Sequence, residues 1–361
     1  MENKMSLLSR AECTALRGIA ILGIMLHNYC HWLRMAVKEN EYTFSEANND
    51  RLLDVLANPD WNLPIHLLSY FGHYGVSVFL FLSGFGLVMK YEYSSHHSPL
   101  TTYHFTKYNY LKLFRMMIIG YVFFILVDYM TPGPHHYALL DVVAQLLMFN
   151  NLLPTPDKII WPGPFWFFGL MMQLYIVYRL LIFRRHWSIV VALVVLCWVV
   201  QLPFLDDAAT LNRLRYNCIS GMLPFGLGVL AGRYGSRLNV ERLKKWQWTL
   251  VLLVALPLTF VLCLTAQTWL WVPVMILVAG IAFVKLLPQP VMSWLVWTGG
   301  ISAAMFVAHP TLRKILIPVS HRGDLYAGLL LYVVATFVVS WLLSRIIKPK
   351  TSNLKSQTSN P

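Results

Sequence analysis

The chain has 361 residues, of which 57% are hydrophobic, 14% aromatic and only 12% charged. A soluble domain carries about a quarter charged residues, so the composition excludes one, and the long apolar runs lack the alternation of barrel strands. What remains is an all-α, polytopic transmembrane bundle, whose net charge of +13 sits in short segments between spans and reads as positive-inside anchoring, not as a nucleic-acid surface.

In chain order the apolar runs predict about ten spans: residues 15–34, 66–89, 113–131, 164–184, 187–204, 218–234, 246–266, 269–287, 293–315 and 324–347. The first is no removable signal, since it lacks a small-residue cleavage site and runs on into Tyr29 and Trp32. With a cytoplasmic N-terminus, 20 of the 29 Lys and Arg residues fall on the inner face, which places both termini inside. Two outer segments are long. Residues 35–65 hold Glu39, Glu41, Glu46, Asp50, Asp54 and Asp60, and residues 132–163 include an apolar stretch, 139–153, too short to span and therefore re-entrant or interfacial. Residues 1–347 read as one membrane domain and 348–361 as a polar, disordered cytoplasmic tail. The five cysteines (Cys13, Cys30, Cys197, Cys218, Cys263) show no CxxC spacing, so neither a disulfide framework nor a metal site is expected of them.

Ionisable residues inside a span are functional suspects, because charge in hydrocarbon is costly. The first span carries Arg17 at its entrance and His27 and His31 further in. Ten residues of helix cover about 15 Å. Arginine offers a planar fork of donors for phosphate or carboxylate, whereas histidine titrates near working pH and can act as a general base on a hydroxyl. An interfacial anchor at Arg17 and a hydrogen-bonded core residue at His27 are the plainer readings. The second span opens on His73 and holds Ser83 among Gly72, Gly75, Gly84 and Gly86, small residues that also suit close helix packing. The following basic segment brings Lys107, Lys112 and Arg115 to a helix entrance among aromatics, a pattern fit either for a nucleotide or for anchoring. Later come Trp166, Gln173 and Tyr175, then Ser302 and His309. Buried Gln, Tyr and Ser are commonly interhelical glue, yet a polar set drawn from four helices is also what a midplane cavity needs.

The ordered set of these segments resembles the acyltransferase-3 family of integral membrane acyltransferases. Arg17 to His27 resembles its first-helix motif. Gly75, Val76, Phe79, Ser83, Gly84 and Phe85 resemble the second. Phe105, Lys107 and Lys112 are similar to its basic loop, Trp166, Gln173 and Tyr175 to its fourth-span motif, and Ser302, Phe306, His309 and Pro310 to its late one. The resemblance implies an acetyl or similar acyl group passed from cytoplasmic acetyl-CoA to a hydroxyl on an extracytoplasmic glycan or lipid-linked sugar. The setting would be a bacterial-type plasma (inner) membrane. Its partners would be acyl-CoA, that acceptor and membrane lipid, with no metal and no nucleic acid. Carried over, His27 is the catalytic histidine with His31 beside it, and Arg17, Lys107, Lys112 and Arg115 hold CoA. His73, Ser83, Trp166, Gln173, Tyr175, Ser302 and His309 would then surround the substrates. The chain departs from the family pattern at three places. The usual Arg–His spacing is eleven, where Asn28 stands here; Met171 and Met172 replace common glutamates; and Asn109 replaces a common arginine. Direct transfer and an acyl-histidine intermediate are both compatible with these residues. A transporter or flippase of a lipid-linked sugar would share such a cavity, but transporters often show inverted repeats, and no repeat is visible.

Overall fold

A computed structural model of the protein describes residues 7–93 and 101–347. The tail expected over 348–361 lies outside the described residues. The chain is 80% helical, with no strands among the described residues. Its helices are α1 (Arg10–Cys30), α2 (Glu46–Ala57), α3 (Leu63–Phe71), α4 (Gly75–Tyr91), α5 (Thr102–Met130), α6 (Leu139–Leu146), α7 (Pro156–Ile159), α8 (Trp166–Val177), α9 (Trp187–Val199), α10 (Ala208–Arg215), α11 (Cys218–Tyr234), α12 (Lys245–Leu262), α13 (Ala266–Trp269), α14 (Val272–Leu286), α15 (Gln289–Gly300), α16 (Ser302–Arg322) and α17 (Leu325–Ile347).

All ten expected spans fall on helix, but not all are long and apolar enough to cross a membrane unaided. Among the described residues six stretches are, or seven if the bent pair α15–α16 counts as one. Helices α11 and α14 are only 17 and 15 residues long, and α1 is made polar by Arg17, His27 and Asn28. Residues 293–315, expected as a single span, bend by 70° between α15 and α16. One tertiary and one local contact fix the bend. Gly299 packs directly on the Thr14 carbonyl of α1, where a Cβ has no room, and Ser302 Oγ donates to the Gly299 carbonyl at 2.8 Å. The apolar stretch 139–153 forms only the eight-residue α6 and a short 3-10 turn, too short to span.

Burial sorts the helices into an inner and an outer set. The apolar windows of Leu63–Tyr91 and Gly163–Ile182 are 67% buried, whereas that of Trp187–Phe204 is 11% buried, so α9 presents its side chains outward as a lipid-facing helix does. Helix α1 packs against α3, α4, α14, α15 and α16, and this central position buries His27 inside the bundle while Arg17 stays exposed toward the other end. A Ser9–Glu12 capping box starts α1, and Glu12 pairs with Lys285 of α14 at 2.9 Å. Near the same end, Arg233 of α11 donates to both oxygens of Glu92 at 2.8 Å. Tyr178 adds a third bond to Glu92 at 2.9 Å, tying α4 to α11 and to the end of α8.

Candidate active site

At the His27 end of α1 a cavity of about 240 Å³ is walled by α1, the segment 31–45, His73, the segment 157–167 and α16. His27 is 7% exposed and its Nδ1 lies 2.7 Å from the Ser69 carbonyl. A carbonyl only accepts, so Nδ1 carries the proton and Nε2 keeps its lone pair. Ser69 is itself fixed, its Oγ donating to the Val37 carbonyl at 2.6 Å. The turn between α3 and α4 can press this close because residue 72 is glycine: a Cβ there would fall 2.6 Å from His27 Cβ and 2.5 Å from the Gly23 carbonyl oxygen. His73, on the same turn, stands with its ring 5.5 Å from that of His27. The His31 ring is equally close, at 5.5 Å, and His31 Nδ1 donates to Glu39 at 2.6 Å.

Two carboxyl groups on the segment after α1 hold different charge. Burial alone would raise Glu39, but the His31 hydrogen bond and the neighbouring imidazoles outweigh it and hold the carboxyl down at about 2. Burial, reinforced by the Glu39 charge, pushes Glu41 up to about 8. At neutral pH one wall therefore offers an ionised acceptor and a protonated donor. Opposite stands Arg313 of α16, which donates to Asn28 Oδ1 at 2.9 Å and lies over the Trp32 ring at 4.4 Å. The remaining walls are aromatic. Tyr42 stacks on Tyr216 at 4.1 Å and meets Trp166 edge-on at 5.6 Å, and Trp161 meets Trp32 edge-on at 6.5 Å.

A second cavity, of about 210 Å³, lies at the Arg17 end of the same helix, and its charged lining is Arg17, Lys90 and Lys112. Ser83, Gly86, Asn109 and Tyr175 complete its polar side. Phe79 lines this cavity, Phe167 and Phe306 line the other, and the three rings touch in series at 6.3 Å and 5.1 Å. One run of aromatic contacts thus separates a basic chamber from a histidine chamber.

A family model described as an acyltransferase domain, of the acyltransferase-3 type, matches residues 11–345, nearly the whole chain. The chain belongs to the acyltransferase-3 family. Comparison with curated proteins and with solved structures gives no match. The family places the chain among membrane acyltransferases, and α1 is continuous α-helix through Arg17 and His27, with no bulge between them. His27 and Asn28 both line the cavity, the one bound to Ser69 and the other to Arg313. Met171 and Met172 line neither cavity, whereas Glu39, on the segment after α1, lines the His27 cavity.

Of the residues singled out by sequence, the structure brings His27, His31, His73 and Trp166 to one cavity and Arg17, Lys112, Ser83 and Tyr175 to the other. Ser83 and Tyr175, expected around the substrates generally, thus sit with the basic residues. Lys107 and Arg115 line neither cavity. Both are exposed, and Lys107 lies over the Tyr103 ring; on the helical repeat Lys107 points away from Lys112, whereas Arg115 shares its face one turn further along the helix, beyond the cavity. Gln173 is consumed by packing, bonded to Asn217 at 2.7 Å and to the Cys218 amide at 2.8 Å. Ser302 closes the bend described above. His309 is fully buried, its Nδ1 donating to Met305 of its own helix at 3.1 Å. Sequence reasoning missed Lys90, Glu39, Glu41 and Arg313 as lining residues. The acids carried a signal, as an acidic outer segment, but nothing local marked which of them turns inward. All five cysteines are free.

The close approach at Gly72 gives a direct test. Gly72→Ala is expected to lower acyl transfer by roughly 100-fold, the scale of an ångström-sized misplacement of a reacting group. Turnover measured beside thermal stability checks it; unchanged turnover in a folded variant would mean that this contact does not position His27.

Proposed function

We propose that this protein is a transmembrane O-acyltransferase that moves an acetyl or similarly small acyl group from cytoplasmic acyl-CoA to a hydroxyl of an extracytoplasmic glycan or lipid-linked sugar. The observation that carries the proposal is that a single helix lines both cavities, with Arg17 in one and His27 in the other. The basic chamber suits the phosphates of CoA: Arg17, Lys90 and Lys112 supply cationic donors. In this reading the pantetheine arm follows α1 past Phe79, Phe167 and Phe306, over the about 15 Å that ten helical residues cover. The histidine chamber suits a sugar, since Trp32, Tyr42, Trp161 and Trp166 give flat apolar faces for a pyranose ring. Glu39, Glu41, Asn28 and Arg313 add donors and acceptors for its hydroxyls.

The chemistry follows from the tautomer. His27 Nε2 takes the proton of the acceptor hydroxyl as its oxygen attacks the thioester carbonyl, and the new C–O bond forms. Collapse of the tetrahedral adduct breaks the C–S bond, and the proton on Nε2 passes to the departing thiolate. The Ser69 carbonyl holds the imidazole in place and stabilises the positive charge it carries in between. No net proton is consumed. Glu39 holds His31 against His27 and adds negative charge beside the developing imidazolium.

Cells with and without this protein, compared by mass spectrometry of their surface glycans, are expected to differ by the mass of one acyl group per modified sugar. Arg17→Gln is expected to raise the KM for acyl-CoA about tenfold with a smaller change in kcat, as loss of one charge-assisted phosphate contact of about 1.5 kcal/mol would do. Unaltered glycans, together with solute flux that consumes no acyl-CoA, would favour a transporter instead.

A further inference from the structure

Three imidazoles and a carboxylate line the His27 cavity, from the end of α1, the segment after it and the turn between α3 and α4, and acyl transfer needs only one of them as a base. We infer that His27, His31, His73 and Glu39 form a binding site for a divalent transition-metal ion of the Zn²⁺ class, whose occupancy silences His27. One possible ligand atom from each of His27, His31 and Glu39 lies within 4.8 Å of the others. Metal–ligand bonds of about 2.0–2.2 Å place tetrahedral ligands about 3.3 Å apart, so closure asks for a shift of about an ångström or two, chiefly at His31, whose side chain is 33% exposed against 11% for Glu39.

Two further observations point to a ligand. His27 already donates Nδ1–H to a backbone carbonyl at 2.7 Å, the outer contact that typically orients a metal-bound imidazole and leaves Nε2 as the donor. His73 is 6% exposed and lines the cavity, yet its ring nitrogens make no well-formed hydrogen bond, only a weak contact with the Tyr70 backbone. A buried polar group left so is costly, and an ion would use it. His31 and Glu39 are joined at 2.6 Å through His31 Nδ1 and one carboxylate oxygen, which leaves His31 Nε2 and the other Glu39 oxygen as donors to an ion. Imidazole donors with one carboxylate favour Zn²⁺, Co²⁺, Ni²⁺ or Cu²⁺ over Mg²⁺ and Ca²⁺, which take oxygen ligands. With Nε2 engaged by the ion, His27 has no lone pair for a hydroxyl proton.

The test is Co²⁺ titration of the detergent-solubilised full chain, purified without a histidine tag and read by visible absorption, with Zn²⁺ as competitor. One Co²⁺ per chain with ligand-field bands, displaced by Zn²⁺ and not by Mg²⁺, is expected. His31→Ala, His73→Asn and Glu39→Gln should each weaken binding by about 10–100-fold, with His31→Ala, at a half-exposed site, guarding against loss of fold. No saturable binding, or affinity unchanged in all three variants, overturns the site. The inhibitory role rests on the acyltransfer reading: saturating Zn²⁺ is expected to cut transfer at least tenfold, and full transfer at saturation overturns that role. Because binding is read by absorption, a failure to find acyl transfer would leave the metal site standing.

Discussion

Replacing His27 by asparagine is expected to lower acyl transfer by about 10²–10⁴-fold, the range that a positioned general base contributes, while the protein stays folded. Asparagine is the informative replacement because its amide nitrogen stands near the position of Nδ1 and can keep the bond to the Ser69 carbonyl. What it lacks is the basic Nε2. His27→Ala should lose as much activity and also some stability, because it leaves the Ser69 carbonyl buried without a donor, at a cost of about 1–3 kcal/mol. His31→Asn should do less damage than either, since His31 stands beside His27 and is held to Glu39. Initial rates with labelled acyl-CoA, beside thermal unfolding in detergent, separate the two effects. A folded His27→Asn protein with undiminished rate would remove His27 from the mechanism.

Asp128→Ala is expected to cost about 3–5 kcal/mol of stability, the scale for breaking a buried ion pair from one side. Asp128 is fully buried near the end of α5. It pairs with Lys314 of α16 and accepts from the His135 amide at 2.8 Å, Tyr137 Oη at 3.0 Å and Trp161 Nε1 at 3.3 Å. Four groups therefore lose one partner together, and Lys314, with a side chain only 13% exposed, is left as an unpaired charge. Trp161 is also a wall of the His27 cavity, so Asp128→Asn, which keeps an acceptor oxygen, should retain more stability yet raise the acceptor KM. Denaturant or thermal unfolding checks the first effect and acceptor saturation curves the second. An unchanged melting point in Asp128→Ala would show that the network adds nothing to the fold.

The helical architecture is legible in the sequence because apolar runs of span length dictate helix wherever lipid cannot satisfy the backbone. Where that reading fails, the causes are tertiary. The bend at Gly299–Ser302 depends on Gly299 lying against Thr14, a contact between residues far apart in the chain, and hydropathy alone carries 293–315 straight through. The first helix announces itself through Arg17 and His27, costly residues in an apolar run. Lys107, Lys112 and Arg115 are alike in composition, and only the course of α5 places Lys112 in the basic chamber: Lys107 faces away, and Arg115 lies on the same face a turn beyond it. Gln173 and Ser302 stand out by their polarity, and both spend that polarity on local packing. Glu39 is one of several acids in an outer segment, and its place beside His31 depends on the chain turning back over the end of α1. Arg313 lies within the expected span 293–315, yet its place on the cavity wall is not legible there, because its partner Asn28 is 285 residues away.

The claim that a single helix joins a CoA chamber to a histidine chamber is tested most directly in sealed vesicles. Labelled acetyl-CoA is supplied on the Arg17 side only and a glycan acceptor on the His27 side only. The account predicts labelled acceptor with the wild-type protein, none with His27→Asn, and a rate that falls with Arg17→Gln at limiting acetyl-CoA. Labelling that appears only when donor and acceptor share one side, or that persists in His27→Asn, would contradict it.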